Sequence, residues 1–357
     1  MPIWPKIKWL LSVLIELRKK SYPLVNYGIR ILYLVPVLLG GWKIDIVFKN
    51  AKPLVLFDQF EITVADISDI SLWMAIIFTL VGTSLIYYGI KTVRNQARKT
   101  AKVMIVSMLG ESAHFPDEIL YESEKIDSRE PIKLGVSEGQ NYIEKSIEMF
   151  NAEQMVDIYH RFILHHDCKK VFLGGRARVP LLVAYGSRFR NISANIVYFD
   201  QKHANNKWHL LDDEDENIGL SYHPINEIHP NKEGAVGLAI CFTTQIEEHQ
   251  LPASIHGHTL IITSSKNIGR NLINNQDNLQ RISEELKIII DQLSSKENCS
   301  SIHLFLSVQS SLALEIGRNY QEGTHKSWVI HNYNAGSGTY DWAVQLNSDN
   351  TIKQHKQ

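Results

Sequence analysis

KVFLGGRARVPLLVAYGSRF (170–189) and IHLFLSVQSSLALEIGRNY (302–320) are two copies of one pattern. Offset by 131 positions, Val171 falls on Ile302, Leu173 on Leu304, Leu181 on Leu312 and Gly186 on Gly317. Each copy reads as a short apolar strand, a loop, and an apolar helix that ends near the shared glycine. With an offset of 134, VYFDQ (197–201) falls on HNYNA (331–335) and Trp208 on Trp342. The doubling extends upstream. VMIVSMLG (103–110) and AVGLAICFT (235–243) read as strands that precede the later ones by 68 and 66 residues. Between them lie helical segments at Glu138–His166 and Asp277–Leu293. Strand, helix, strand, helix, strand, twice over, predicts two α/β units with parallel sheets, at 103–218 and 235–350. Units this similar are expected to pack as a pseudo-symmetric pair around a cleft. Two unrelated units with chance matches are the alternative.

The 357 residues hold 37 basic and 38 acidic side chains, but the charges are unevenly placed. Residues 1–102 carry 14 Lys/Arg against 6 Asp/Glu, and the remainder carry 23 against 32. A C-terminal part at net −9 excludes a duplex-coating nucleic-acid binder, which needs a broad basic face. It leaves room for a small anion held by a few placed groups. Cys168, Cys241 and Cys299 have no CxxC spacing, which excludes a disulfide framework and a cysteine-based zinc site and fits a reducing cytoplasm.

Upstream of the repeat, SLWMAIIFTLVGTSLIYYGI (71–90) runs twenty residues without a charge, the length of a membrane-crossing helix. Trp73 and Tyr87-Tyr88 near its ends suit interfacial aromatic belts. Leu24–Trp42 is a second apolar stretch, interrupted by Pro36, Gly40-Gly41 and by Arg30, which lies close enough to the start to snorkel. Both flanks are basic while 43–70 is acidic, so the positive-inside rule predicts a two-helix hairpin over 24–90 with 43–70 outside. A basic linker at 91–102 then leads to a cytoplasmic C-terminal part. Residues 1–23 alternate apolar and basic positions at helical spacing and are expected to lie on the anionic inner leaflet as an amphipathic helix. A cleaved signal peptide is the competing account; Glu16 breaks its apolar region and no A-x-A site follows.

IHLFLSVQSSLALEIGR, followed by VIHNYN and TYDWAVQL, resembles a SAVED domain, and the resemblance covers about residues 103–346. It implies an α/β fold of tandem Rossmann/CARF-like units, here preceded by an α-helical transmembrane hairpin. One departure is Ser311, where many members have proline; the first repeat keeps Pro180. The resemblance further implies a sensor of a cyclic tri- or tetranucleotide in bacterial anti-phage (CBASS) defence. Members differ in the fused effector, and this chain looks like the transmembrane type. Such a protein is a multi-pass protein of the bacterial inner membrane, has no catalytic activity or cofactor, and partners the lipid bilayer. Ligand-driven oligomers would breach the membrane in abortive infection. A membrane-anchored Rossmann-like enzyme acting on a nucleotide is the alternative.

Parallel α/β sheets bind ligands beyond the carboxyl ends of their strands, where helix N-termini present N–H groups. That rule selects the loops Ser107–Glu111, Gly174–Arg178, Thr243–Gln245 and Ser307–Ser311. Gly174 and Gly175 allow close backbone approach, and Arg176 and Arg178 offer bidentate phosphate contacts. Ser107, Thr243, Thr244, Ser307, Gln309 and Ser310 offer uncharged polar contacts, and Lys266 a further cation. Trp208 and Tyr333 are candidates for base stacking, although aromatics of this kind, Trp342 included, commonly fill a core. Solvated loop charges are the corresponding plain account of Arg176 and Arg178. His165-His166 and His256-Gly257-His258 lack the companions of a metal motif, and Walker A, GxSxG and GxGxxG patterns do not occur. The DDEDE run at 212–216 reads as a solvated turn.

Overall fold

The uncharged stretch 71–90 sits inside one long helix. In a computed structural model of the chain, helix α1 (Pro23–Leu39) packs against helix α2 (Asp69–Ala97). A two-residue antiparallel ladder between β1 (Lys43–Ile44) and β2 (Ile62–Thr63) lies between them in sequence. The structure describes residues 23–39, 43–44, 62–63, 69–97, 99–106, 115–120, 132–135, 141–152, 168–202, 204–214, 217–321 and 323–355. All but the last residue of the amphipathic helix expected over 1–23, most of the acidic 43–70 loop, the Ser107–Glu111 loop and the 153–167 part of the first long helix therefore lie outside the described residues.

Small residues set the helix–helix contact. A Cβ on Gly28 would come within 2.7 Å of the Gly82 carbonyl oxygen and of Ile86, and one on Gly82 would strike Leu32. Pro36 lies within α1 without ending it. Contrary to the expected linker, α2 runs past Ile90 to Ala97, and strand β3 opens at Thr100. No Pro or Gly interrupts 91–100, and its Lys, Arg and Gln residues are good helix formers. Among the described residues, one helix is long and apolar enough to cross a membrane, over Leu72–Val93.

Residues Lys99–Ile119 and Arg129–Gln357 form a second body with two sheets. The first has the order β4-β3-β5-β6-β7. Its strands β3 (Thr100–Val106), β4 (Ile132–Gly135), β5 (Lys170–Arg176) and β6 (Asn195–Gln201) are parallel, and β7 (Trp208–Leu210) is antiparallel to β6. Helix α3 (Tyr142–Asn151) follows β4, and α4 (Val179–Arg188) follows β5. In the second sheet the order is β14-β13-β12-β11-β9-β10-β8. There β9 (Ala235–Cys241), β10 (Thr259–Ser264), β11 (Ser301–Ser307) and β12 (Ser327–Asn334) are parallel. Around them β8 (Leu220–Tyr222), β13 (Thr339–Leu346) and β14 (Ile352–His355) are antiparallel additions. Helix α5 (Gln276–Ser294) precedes β11 and α6 (Ser310–Arg318) follows it.

The predicted repeat is thus a shared strand order, β4-β3-β5-β6-β7 matching β10-β9-β11-β12-β13. Two features depart from the expectation. The sheets are mixed, with parallel centres and antiparallel edges, and each repeat holds one further parallel strand, β4 or β10, beside its first. Short strands such as IKLG offer too few residues for a period-two pattern to declare itself.

Each middle helix packs on the sheet of the other repeat, α4 against β12 and β13, α6 against β5 and β6. The two helices also pack on one another, and Gly186 and Gly317 are where they meet. A Cβ on Gly186 would strike the Leu314 carbonyl oxygen, and one on Gly317 the Val183 carbonyl oxygen. The aligned glycines therefore permit backbone-to-backbone contact on a pseudo-two-fold axis. Around them Val171, Leu173, Leu181, Ile302, Leu304 and Leu312 belong to one apolar core continuous between the repeats. A smaller cluster of Cys241, Ile246, Leu251, Ile255, Phe305 and Tyr340 covers the other face of the second sheet.

Candidate functional site

Strands β5, β6, β9 and β11 end around a common cavity of about 350 Å³. Its walls come from both repeats: Gly175, Arg176, Asp200, Gln201 and Asn206 from the first, Thr243, Arg270, Asn271, Val308, Gln309 and Ser310 from the second. Arg176 is exposed at the last position of β5, and Arg270 is exposed in the connection from β10 to α5. One guanidinium from each repeat therefore borders the same space. Ser310, the first residue of α6, brings a helix N-terminus to it.

The cavity floor is a buried polar latch between the repeats. Asp200 is 2% exposed and its side chain leaves β6 on the same face as Ile196 and Tyr198. Its carboxylate accepts the backbone N–H of Ser311 at 3.1 Å, the Ser311 hydroxyl at 2.5 Å and the Gln309 amide at 2.7 Å. A carboxylate at the first turn of α6 answers the positive end of that helix. Burial nevertheless raises the Asp200 pKa, and the hydrogen bonds from Ser311 and Gln309 offset part of the rise. Two residues back along β6, Tyr198 donates its hydroxyl to Glu315, which also takes Arg318 at 2.7 Å. Two positions on a strand meet four positions on a helix, so Asp200–Ser311 and Tyr198–Glu315 form adjacent rungs. Desolvation pushes the Tyr198 hydroxyl well above its ordinary value, and the neighbouring Glu315 adds to that.

Several predicted contacts are placed here, though not always in the expected role. Gly175, Arg176, Thr243, Gln309 and Ser310 line the cavity. Gln309 does not present a free amide, because it accepts from the Ile273 N–H and donates to Asp200 and to the Ile273 carbonyl. It is a fixture of the latch. Ser307 is likewise committed: its carbonyl accepts the N–H groups of Phe242 and Thr243, and its hydroxyl bonds the Thr243 hydroxyl and the Thr244 N–H. It ties the end of β9 to the end of β11.

Gly174 and Gly175 belong to β5 and not to a loop. A Cβ on Gly174 would come within 2.5 Å of Phe199, and one on Gly175 would strike the Ile105 carbonyl. Both glycines admit neighbouring strands, and Gly175 alone of the pair reaches the cavity. Arg178 is exposed at the N-cap of α4 and is not part of the lining. Trp208 lies edge-on to Phe199 at 5.5 Å, half-buried, and Tyr333 packs on Tyr340 at 5.4 Å. Neither aromatic lines the cavity, nor does Lys266 or Thr244. Ser107 lies outside the described residues. Among the described residues no cluster of three His, Cys, Asp or Glu side chains is arranged to hold a metal ion.

Sequence reasoning missed Asp200, Gln201, Asn206, Arg270, Asn271 and Val308. Asn206 and Asn271 adopt left-handed backbone (φ 56° and 55°), a conformation that asparagine tolerates in tight turns but that its presence in a sequence does not by itself announce. Asp200 stood inside the aligned VYFDQ, but its partners are more than a hundred positions away.

The model of the SMODS-associated and fused to various effectors sensor domain, SAVED, matches residues 159–346, just over half of the chain. Among solved structures, the Acinetobacter baumannii Cap4 SAVED/CARF-domain containing receptor with the cyclic trinucleotide 2'3'3'-cAAA is 15% identical, with 78% of this chain and 60% of that one covered and a TM-score of 0.48. The Moraxella osloensis Cap4 receptor is 13% identical over 78% of this chain and 59% of that one, with a TM-score of 0.44. The chain thus spans about 60% of the length of these receptors. No curated protein is significantly similar. Because the SAVED match covers more than half of its residues, the chain belongs to the SAVED family of sensor domains.

Proposed function

We propose that the chain is a membrane-anchored receptor for a cyclic oligonucleotide in anti-phage defence, and that ligand-driven assembly of its hairpins breaches the bilayer. The observation that carries the ligand half is the shared cavity, with Arg176 and Arg270 offered by opposite repeats. A cyclic oligonucleotide presents several phosphates around one ring, so two cations on two repeats match it better than a single cluster would. At about 350 Å³ the cavity is at the small end of ligand sites, roughly 300–1,000 Å³. It accommodates a phosphate and its sugar, with the rest of the ring across its mouth. The reading assigns no chemical step to the chain.

The membrane half rests on the apolar span Leu72–Val93, the exposed Trp73, Tyr87 and Tyr88 on α2, and the basic flanks of 24–90. The positive-inside rule places 43–70 outside and the sensor in the cytoplasm. At net −9, unliganded sensors repel, and binding must supply a differential free energy for the assembled form. Two similar but non-identical repeats offer unlike surfaces at their ends, which suits head-to-tail contacts that propagate.

The test uses the full chain in detergent and in vesicles, with 2'3'3'-cAAA and 3'3'3'-cAAA as the first probes. Binding by calorimetry, growth of the particle on sizing, and dye release on ligand addition are the expected results. Ligand recovered chemically altered would favour the nucleotide-processing alternative. Ligand that binds without a change in particle size or dye release would remove the effector mechanism. A reporter fused at Asp58 should read outside, and a cytoplasmic signal there would overturn the topology.

A further inference from the structure

We infer that the assembled hairpins turn one polar side inward to line an aqueous conduit, in which a ring of Arg30 guanidiniums favours anions. The inference rests on the membrane reading above, and names the wall of the breach and the ions that pass it. Contacts within the helix pair fix its register. Val25 meets Gly89, Gly28 meets Gly82 and Ile86, and Leu32 meets Gly82, so α1 and α2 are antiparallel and Tyr33 stands level with Val81. That level is the middle of the apolar span Leu72–Val93. Arg30 stands almost one turn nearer the cytoplasmic end, level with Ser84.

Polar groups are not scattered evenly round this pair. At 3.6 residues per turn, Asn26, Arg30 and Tyr33 fall within about 60° of one another on α1. Thr79, Thr83 and Tyr87, spaced by four, fall within about 80° on α2. Counted round in the direction of chain advance, the α1 set begins about 110° from the contact line through Val25, Gly28 and Leu32. The α2 set begins about 60° from the line through Ala75, Gly82 and Gly89. Antiparallel helices seen from one end advance in opposite senses, so both sets come to the same side of the pair. Leu72 and Ile76 share that side at the outer end. The opposite side carries Ile31, Val35, Met74, Phe78, Val81 and Leu85, with Tyr27, Tyr88 and Thr92 at its cytoplasmic end alone. Ser84 points almost directly away from α1.

Arg30, Thr79 and Thr83 are exposed and Tyr33 is 66% exposed, so none of them is turned into the contact between the helices. The hydroxyls of Thr79 and Thr83 donate to the carbonyls of Ala75 and Thr79, at 2.7 and 2.6 Å, and keep lone pairs for an outside donor. Acyl chains cannot answer these groups, and polar side chains at such depth turn to a bundle interior or to water. The occupant that fits is the same side of further copies of this chain, because the opposite side already suits lipid. In a dry seam the Arg30 charges of neighbouring copies would repel one another unpaired; water and anions between them relieve that repulsion. Rings of arginine are the wall chemistry of anion pores.

The experiment places the full chain in planar phosphatidylcholine–phosphatidylglycerol bilayers under a potassium chloride gradient and adds 2'3'3'-cAAA. The evoked current should reverse at a potential that shows chloride several-fold more permeant than potassium. Arg30→Gln should bring that ratio close to one, and Arg30→Glu should invert it. Cys168, Cys241 and Cys299 are buried, so single introduced cysteines report access from water. A charged methanethiosulfonate should block Tyr33→Cys and Thr83→Cys channels after ligand addition, and leave Val81→Cys untouched. A ligand-evoked current without ion preference, unmoved by Arg30→Glu, would overturn the inference and leave the membrane reading standing. Tyr33→Cys no more reactive than Val81→Cys would do the same, and this comparison holds even where Arg30 variants fail to assemble. Ligand binding with neither current nor dye release would overturn the effector reading itself.

Discussion

The two repeats share a scaffold and differ where they touch. In each, a parallel strand and its following helix carry the other repeat, and Gly186 and Gly317 serve the crossing in the same way. The cross-repeat polar rungs occur once only. Asp200 and Tyr198 of the first repeat engage Ser311 and Glu315 of the second. At the aligned positions Asn334 and Asn332 stand for Asp200 and Tyr198, and Pro180 and Ala184 for Ser311 and Glu315. Pro180 has no N–H to offer and Ala184 no polar atom, so there is nothing to latch. Asn334 instead closes its own turn, accepting from the Gly336 N–H and donating to Asp341. The departure of Ser311 from the family's proline thus has a physical partner in Asp200. A duplicated fold keeps its packing symmetric and breaks its polarity where one side must be rigid.

Removing the latch should break the asymmetry most visibly. Asp200→Ala leaves Ser311 and Gln309 with buried donors unsatisfied, and should cost about 3 kcal/mol of stability in denaturant unfolding. Asn334→Ala at the reciprocal place should cost less than about 1 kcal/mol. Comparable losses at both sites would mean that the latch has no special weight.

The glycine crossing tests the symmetric part. Gly186→Ala and Gly317→Ala should each cost about 2 kcal/mol, because each new methyl meets a backbone carbonyl of the facing helix. Their near equality is the point, and thermal unfolding of the two variants compares them directly. A large difference would show that the pseudo-two-fold is only approximate in energy.

Ligand binding should draw on both repeats. Arg176→Ala and Arg270→Ala are each expected to weaken cyclic triadenylate by about 1.5 kcal/mol, roughly tenfold, in calorimetry. Arg178→Ala should change little, since Arg178 is outside the cavity lining. Loss confined to Arg176 would place the ligand on the first repeat alone.

A smaller contrast concerns acid. In the second sheet His303 Nδ1 and His331 Nε2 are 3.0 Å apart and share one proton, with the His355 ring 5.5 Å from that of His303. At the aligned positions the first sheet has Phe172 and Val197. Burial lowers His303 from 6.5 to about 4 and His331 well below its usual value, and repulsion among the three rings acts in the same direction. The unfolded chain therefore binds protons first. Stability present above pH 6.5 falls as the pH drops toward 4, with about 1 kcal/mol lost near pH 5.5 through His303. His303→Phe with His331→Val should flatten this acid limb in unfolding measured across pH.

The repeat was legible because strands β5 and β11 are mostly buried and write themselves as apolar runs, each followed by a helix that ends within two residues of the aligned glycine. Arg176 was legible by its position after such a strand. Gly174-Gly175 lies in β5 and not in a loop; a glycine pair signals close approach without saying what approaches. Here the neighbours are Phe199 and Ile105, and Gly175 also lines the cavity. Gln309 and Ser307 were polar and well placed, but their hydrogen-bonding capacity is consumed within the protein.

By itself, the sequence determined the two-fold repetition, the uncharged membrane-length segment and the split of charge, because each is a local or periodic property of side chains along the chain. Which polar groups meet was decided only by the tertiary structure. Asp200 reaches Ser311 across 111 positions, and Arg270 comes to line the same cavity as Arg176 from a connection with no motif of its own. Such pairings depend on how two sheets and their crossing helices stack, and close packing at Gly186 and Gly317 leaves no room for a side chain at that crossing.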